Sequence, residues 1–154
     1  MLSDLKQKTA ITNYVIQVCQ ALGIEKPKVA LIAATEQVSE GIEATVHASV
    51  ISKMADRGQI KGAFVDGPMA LDVAVDKESA ETKGVKSPVA GDADGLIWPN
   101  IDAGNVFYKT NTKLCGCEQA AMVAGANAPC VLSSRGDSSL TKLYSIALAA
   151  LNVK

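Results

Sequence analysis

Pro129-Cys130-Val131-Leu132-Ser133-Ser134-Arg135-Gly136-Asp137-Ser138-Ser139 is the stretch from which the fold is read. Cys130 to Leu132 is a short apolar run after a proline, the pattern of a buried strand. Leu140, Leu143, Tyr144, Ala147 and Leu151 then follow Ser138 at the spacing of an amphipathic helix. A strand that enters a helix through such a turn sets free backbone N–H groups and the positive helix end at the strand's carboxyl edge. Arg135 adds a planar, permanently charged donor suited to phosphate. The same residues also fit a capped helix beside a surface arginine.

Upstream of this stretch, strands and helices alternate. Leu2, Leu5, Ile11, Tyr14, Val15, Val18, Cys19 and Leu22 recur at helical spacing, with Gly23 as a stop and Pro27 beyond it. Val29 to Ala33 is a compact apolar strand, and Thr35 to Glu43 a polar loop at its end. Thr45 opens a second helix carrying Val46, Val50, Ile51 and Met54 on one side and ending at Gly58; His47 is expected on its exposed face. Ala63 to Asp66 reads as a strand closed by Gly67-Pro68, and Met69 to Lys83 as one helix. Leu96 to Trp98 is a strand stopped by Pro99, with a helix opened by Asp102 or Asn105. Ala120 to Ala124 is a weak strand candidate before a turn at Gly125 to Ala128. The strands are near-continuously apolar, which predicts an α/β fold with a mainly parallel sheet covered on both faces, a three-layer sandwich. Ligands in such sheets bind beyond the carboxyl ends of the strands. Thr35-Glu36, Asp66-Gly67, Pro99-Asn100 and Ser133-Ser134-Arg135 fall there.

Composition narrows the function. The 154 residues can bury one sizeable core. A net charge of −1 excludes a general nucleic-acid binder, and 4% aromatic residues leave little for base stacking. No apolar run reaches the length of a membrane span and no signal peptide is evident, so a cytoplasmic protein without membrane contacts is expected. Cys19, Cys115, Cys117 and Cys130 lack the spacings of a zinc site, and reduced, buried core cysteines are expected. Asp92 and Asp94 could form a carboxylate pair for magnesium or cap turns of their loop. The glycines fit neither a Walker A loop nor G-x-G-x-x-G, and no G-x-S-x-G elbow accompanies the single histidine. Chemistry would therefore depend on positioning and anion binding rather than on a histidine base.

Ala55 to Asp72 (ADRGQIKGAFVDGPMALD), Ser87 to Lys109 (SPVAGDADGLIWPNIDAGNVFYK) and Val131 to Ser138 (VLSSRGDS) closely resemble the phosphotransacylases. The phosphate butyryltransferase branch is the nearer one, ahead of phosphate acetyltransferase. The resemblance implies reversible conversion of acyl-CoA and inorganic phosphate to acyl phosphate and CoA, with coenzyme A as substrate and no cofactor or metal. It implies an isocitrate/isopropylmalate dehydrogenase-like fold, two α/β domains flanking a cleft, and a homo-oligomer. Ser134 would contact the reacting sulfur or carbonyl and Arg135 the phosphate. Asp137 would act with them, and Asp66, Gly67, Pro68, Asn105 and Lys109 would line the cleft. The acetyl branch has a carboxylate seven residues after the serine; Thr141 stands there, and Asp137 is the nearest carboxylate. Cys115 and Cys117 replace small or apolar family residues.

Family members are longer, and this chain matches their C-terminal half. Residues 1–127 would be the second family domain, and 128–154 a strand and helix returning to a first domain outside this chain. Two readings follow: half of an acyltransferase, or a CoA- or acyl-phosphate-binding remnant without turnover. A dehydrogenase of related fold has no nucleotide or hydroxy-acid motif to support it. Self-association through Cys130 to Leu151 is expected, because an uncovered apolar helix face is unfavourable in water.

Overall fold

The computed structural model describes residues 4–153; the predicted start of the first helix at Leu2 lies outside them. The chain divides into two compact units, one running to Ala103 and the other beginning at Gly104.

The first unit is built on β1 (Lys28–Ile32), in which Val29 to Ile32 are all buried. β1 is the middle strand of three, parallel to β2 (Phe64–Met69) on one side and β3 (Gly95–Ile97) on the other. Val29 and Leu31 face one layer with Ile16, Ala48, Ile51 and Ile97; Ala30 and Ile32 face the opposite layer with Met69, Val73, Ala80 and Val89. Period-two alternation with both faces buried is why Val29 to Ile32 is apolar at every position. The first layer is supplied by α1 (Leu5–Ala21) and α2 (Glu43–Asp56), the second by α3 (Leu71–Val75) and α4 (Lys77–Thr82). The parallel, two-sided arrangement agrees with the sequence expectation.

Local chemistry sets the helix limits. The Asp4 carboxylate accepts from Gln7 N at 2.6 Å and starts α1. Gly23, at φ +92°, ends it in the left-handed conformation that glycine adopts at low cost. In α2 the buried stripe is Thr45, Ala48 and Ile51, whereas Val50 is exposed, so the predicted apolar face is rotated. The Thr45 hydroxyl explains the rotation: it donates within the Ser39–Ile42 turn and accepts from Ser39 N at 2.9 Å, anchoring the helix start. Met69 to Lys83 is not one helix. Asp76 is extended, and its carboxylate accepts from Ser79 N at 2.7 Å, ending α3 and capping α4. β2 also runs past its predicted end, through a cis Gly67–Pro68 bond to Met69.

The second unit takes in α5 (Ile101–Lys113) beyond Ala103, together with α6 (Ser139–Leu151). The predicted strand at Cys130–Leu132 is corrected: only a single antiparallel bridge joins Cys130 to Val123, and Leu132 is exposed. The predicted strand at Ala120–Ala124 reduces to the same bridge. An apolar triplet becomes a strand only when a neighbouring strand pairs with it. The cysteine expectation is likewise corrected: Cys19 is buried, while Cys115, Cys117 and Cys130 are exposed. α6 buries Thr141, Ser145 and Ala149, and leaves Leu140, Leu143, Tyr144, Ile146 and Leu151 exposed. Ser145 is the anchor, donating to Thr141 O at 2.7 Å and accepting from Ala121 N at 2.9 Å.

Candidate active site

The second unit holds Ser134, Arg135 and Asp137 in the turn before α6, and Asn105 and Lys109 on α5. Asp137 organises the turn. Its Oδ2 accepts from Ser134 N at 2.6 Å, and its Oδ1 accepts from Tyr108 Oη at 3.0 Å. The backbone closes in the same sense, with Asp137 N donating to Ser134 O at 3.1 Å. Gly136 O accepts from Lys113 Nζ at 3.3 Å, so a second α5 side chain reaches the turn. Arg135 is exposed and pairs with no carboxylate among the described residues. Burial, and then the bond to Asp137, pushes the Tyr108 phenol above its ordinary value.

The start of α6 follows the capped-helix alternative read from sequence rather than the open helix end. Ser138 Oγ accepts from Thr141 N at 3.0 Å, and Glu118 Oε2 lies 3.3 Å from Thr141 Oγ1. A carboxylate at a helix N-terminus complements the helix dipole. Arg135, rather than bare helix N–H groups, is thus the free positive element at this turn. On α5, Lys109 Nζ lies 4.7 Å from the centre of the Tyr108 ring, and Asn105 is exposed one turn earlier. Tyr108, Lys113 and Glu118 were not singled out from sequence. Tyr108 sits inside the FYK end of a motif, but nothing local to it marks Asp137, 29 residues on, as its partner.

The first unit holds Asp66, Gly67 and Pro68 on β2. Asp66 Oδ1 accepts from Ser52 Oγ at 2.9 Å and from Gly67 N at 2.8 Å. An open cleft of about 380 Å³ is lined by Asp66 with Ser52, Asp56, Phe64 and Pro88. Gly67 is needed for contact: a Cβ there would stand 2.6 Å from Leu31 O. At the carboxyl edge of the same sheet, Glu36 Oε1 accepts from Ala70 N at 3.2 Å and pairs with Lys83. One sequence expectation changes here. His47 is half-buried, not exposed, with Nδ1 3.0 Å from Lys8 Nζ. Of the two alternatives open for Asp92 and Asp94, the structural one is seen: Asp92 bonds Lys28 Nζ and Asp94 Oδ2 accepts from Lys28 N at 2.8 Å. Lys28 opens β1, so both lie at its amino end rather than at the carboxyl edge.

A turn that orders a serine, presents an unpaired arginine and stands beside α5 can hold an anion and orient an acyl group. Residues 3–150 match the family described as Phosphate acetyl/butaryl transferase. The chain belongs to that family. It is 51% identical over 148 residues to a phosphate butyryltransferase of Clostridium acetobutylicum, covering 96% of this chain and 49% of the relative. It is 47% identical to a phosphate acetyltransferase of Thermotoga maritima, covering 96% of this chain and 50% of the relative. A solved branched-chain phosphotransacylase from Enterococcus faecalis V583 superposes with a TM-score of 0.86 at 32% identity, over 97% of this chain and 53% of that one. The chain therefore spans about half the length of the curated phosphate acyltransferases it matches. Both butyryl- and acetyltransferases match, and no helix among the described residues is long and apolar enough to cross a membrane.

Proposed function

We propose that this chain carries the C-terminal half of a phosphate acyltransferase that exchanges an acyl group between coenzyme A and inorganic phosphate, with butyryl-CoA as the acyl donor. The observation that carries this reading is the Asp137-ordered turn with its free arginine. A phosphate oxygen attacks the thioester carbonyl, the C–O bond forms, the C–S bond breaks, and the departing sulfur takes up a proton to give free CoA. Arg135 binds the phosphate and the charge that develops on it, and Ser134 contacts the reacting carbonyl or sulfur. Both Asp137 oxygens already accept hydrogen bonds, so Asp137 acts by positioning the turn. In this reading Asn105 and Lys109 of the second unit are substrate-binding residues, and so, separately, are Asp66, Gly67 and Pro68 of the first. Coenzyme A is a substrate here, and no further cofactor is invoked. The same reading gives the chain the family's isocitrate/isopropylmalate dehydrogenase-like fold, with residues up to 127 in the second domain and 128–154 returning to the first. It takes the protein to be a cytoplasmic homo-oligomer.

The test is phosphate-dependent release of free CoA from butyryl-CoA and acetyl-CoA, with Arg135→Ala measured in parallel. Loss of one preorganised donor costs on the order of 100- to 1,000-fold in rate. Turnover that falls this far in the variant supports the assignment; turnover unchanged by the variant overturns it. A second reading, a CoA- or acyl-phosphate-binding remnant without turnover, uses the same Asp137-ordered turn and free arginine to hold an anion. It stands if the chain binds CoA yet neither it nor a mixture with the N-terminal half of a relative turns over.

A further inference from the structure

Cys115-Gly116-Cys117 follows directly on α5, and both thiols are exposed and free. Gly116 has φ +65°, and nothing lies within 4 Å of the Cβ it lacks. This left-handed residue turns the chain back on itself. Cys117 Sγ accordingly comes within 4.0 Å of Cys115 O, over the first cysteine of the pair. Residues two apart are separated by at most about 7 Å when fully extended. A turn shortens that distance into the roughly 4.4–6.8 Å between Cα atoms that a disulfide bridges. The other cysteines have different surroundings. Cys19 is buried in the first unit, where burial and then Asp94 push its thiol up. Cys130 is exposed, with its carbonyl accepting from Val123 N. Among the described residues no group of three or more His, Cys, Asp or Glu could hold a metal ion, so the pair has no ligand set to join.

We propose that Cys115 and Cys117 are a reversible dithiol–disulfide pair that exchanges with small-molecule disulfides such as glutathione disulfide and resets the C-terminal end of α5. One thiolate attacks a sulfur of glutathione disulfide, forming a mixed disulfide and releasing one glutathione thiolate. The second cysteine thiolate displaces the other glutathione. Two electrons pass from the protein to glutathione disulfide, and the two cysteine protons end on the two glutathione molecules released. Thiolate access controls such exchange, and both sulfurs here face solvent. The ring closed across a single glycine is small, and a strained, exposed disulfide is of the readily reduced, regulatory kind.

The helix end is coupled to the pair through the backbone. Cys115 N donates to Thr110 O at 3.1 Å and Cys117 N to Asn111 O at 2.9 Å, which satisfies two terminal carbonyls of α5. Bonding the two sulfurs pulls on both of these amides. α5 also carries Tyr108, which reaches Asp137, so the redox state of the pair acts on the helix that supports the Ser134–Asp137 turn.

The test uses the full chain equilibrated in glutathione buffers, quenched with acid and alkylated, with the peptide spanning 115–117 read by mass. The expected result is loss of two hydrogens within that peptide, with the ratio of oxidised to reduced protein following [GSSG]/[GSH]² and reversal by dithiothreitol. Cys115→Ser and Cys117→Ser each abolish it, and Cys130→Ser leaves it unchanged. Amide exchange at residues 115 and 117 should change by roughly tenfold on oxidation, a local opening effect separate from any catalytic assay. A glutathione adduct that never resolves, a cross-link to Cys130 or to a second chain, or unchanged amide exchange overturns the proposal.

Discussion

Tyr108 Oη donates to Asp137 Oδ1 at 3.0 Å, tying the middle of α5 to the turn before α6. Because Asp137 also accepts from Ser134 N, one carboxylate fixes the serine backbone and the helix together.

Tyr108→Phe should cost about 0.5–1.5 kcal/mol, the net value of one such bond. Asp137→Ala should cost more, because it removes both bonds and leaves the Ser134 amide unpaired. Denaturant midpoints of the two single variants and the double variant measure this. If the double variant equals the sum of the singles, the two residues are not coupled and the relationship fails.

The Tyr108 phenol titrates higher in the folded chain than in the unfolded one, through burial and then the Asp137 bond. Above the ordinary tyrosine value the folded state therefore holds more protons. Stability from this group is present below that value and is lost as pH rises through the folded one. Tyr108→Phe should flatten that part of the alkaline stability curve.

Lys8 gives the opposite sign. It is 4% exposed, and burial lowers its ammonium below the ordinary lysine value, against a raising effect of Glu43. Just below the ordinary value the unfolded chain holds the proton and the folded chain has begun to release it. Stability then rises with pH, by at most about 1.4 kcal/mol per pH unit for one proton. Lys8→Met should remove this rise. Parallel urea titrations of both proteins between about pH 8 and 10, below the free lysine value, measure it; identical slopes would contradict the assignment.

Gly67→Ala should destabilise the first unit by roughly 1–3 kcal/mol, the usual cost of forcing atoms into a packed site. The added Cβ would stand 2.6 Å from Leu31 O and 2.7 Å from Leu31 Cβ, and the central strand has little room to give. A thermal midpoint within error of the parent protein would show that β2 can shift away from β1.

The exposed face of α6 leads us to expect self-association. Leu143 and Ile146 are 59% and 60% exposed, on a helix whose buried stripe is Thr141, Ser145 and Ala149. Burying side chains of this size is worth about 1.5–3 kcal/mol each, so replacing both by Glu should weaken association by roughly 100-fold or more. Sedimentation equilibrium reads this directly. A dilute parent protein that sediments as a compact monomer would refute the expectation.

The central strand, the alternation of helices and strands, and the family were all legible in the sequence. Val29 to Ala33 is apolar at every position because both faces of β1 are covered. Asp4, Gly23 and Ser138 mark helix limits through bonds that lie within a few residues of chain. Three long segments in order pointed to the phosphotransacylases, and the family match bears that out.

Other features depend on partners that are distant in sequence. Cys130 to Leu132 has a strand's composition, yet it forms one bridge because Val123 is its sole pairing partner among the described residues. α6 turns its small polar stripe inward because Ala121 N needs the Ser145 hydroxyl, and an apolar periodicity cannot report that. Lys8 with His47, and Tyr108 with Asp137, are 39 and 29 residues apart. Sequence by itself determined what each segment prefers locally, through periodicity, capping and glycine conformation. Only the tertiary structure decided which preferences were realised, because a strand needs a neighbour, a buried face needs a surface and a charge needs a partner, and distant chain supplies all three.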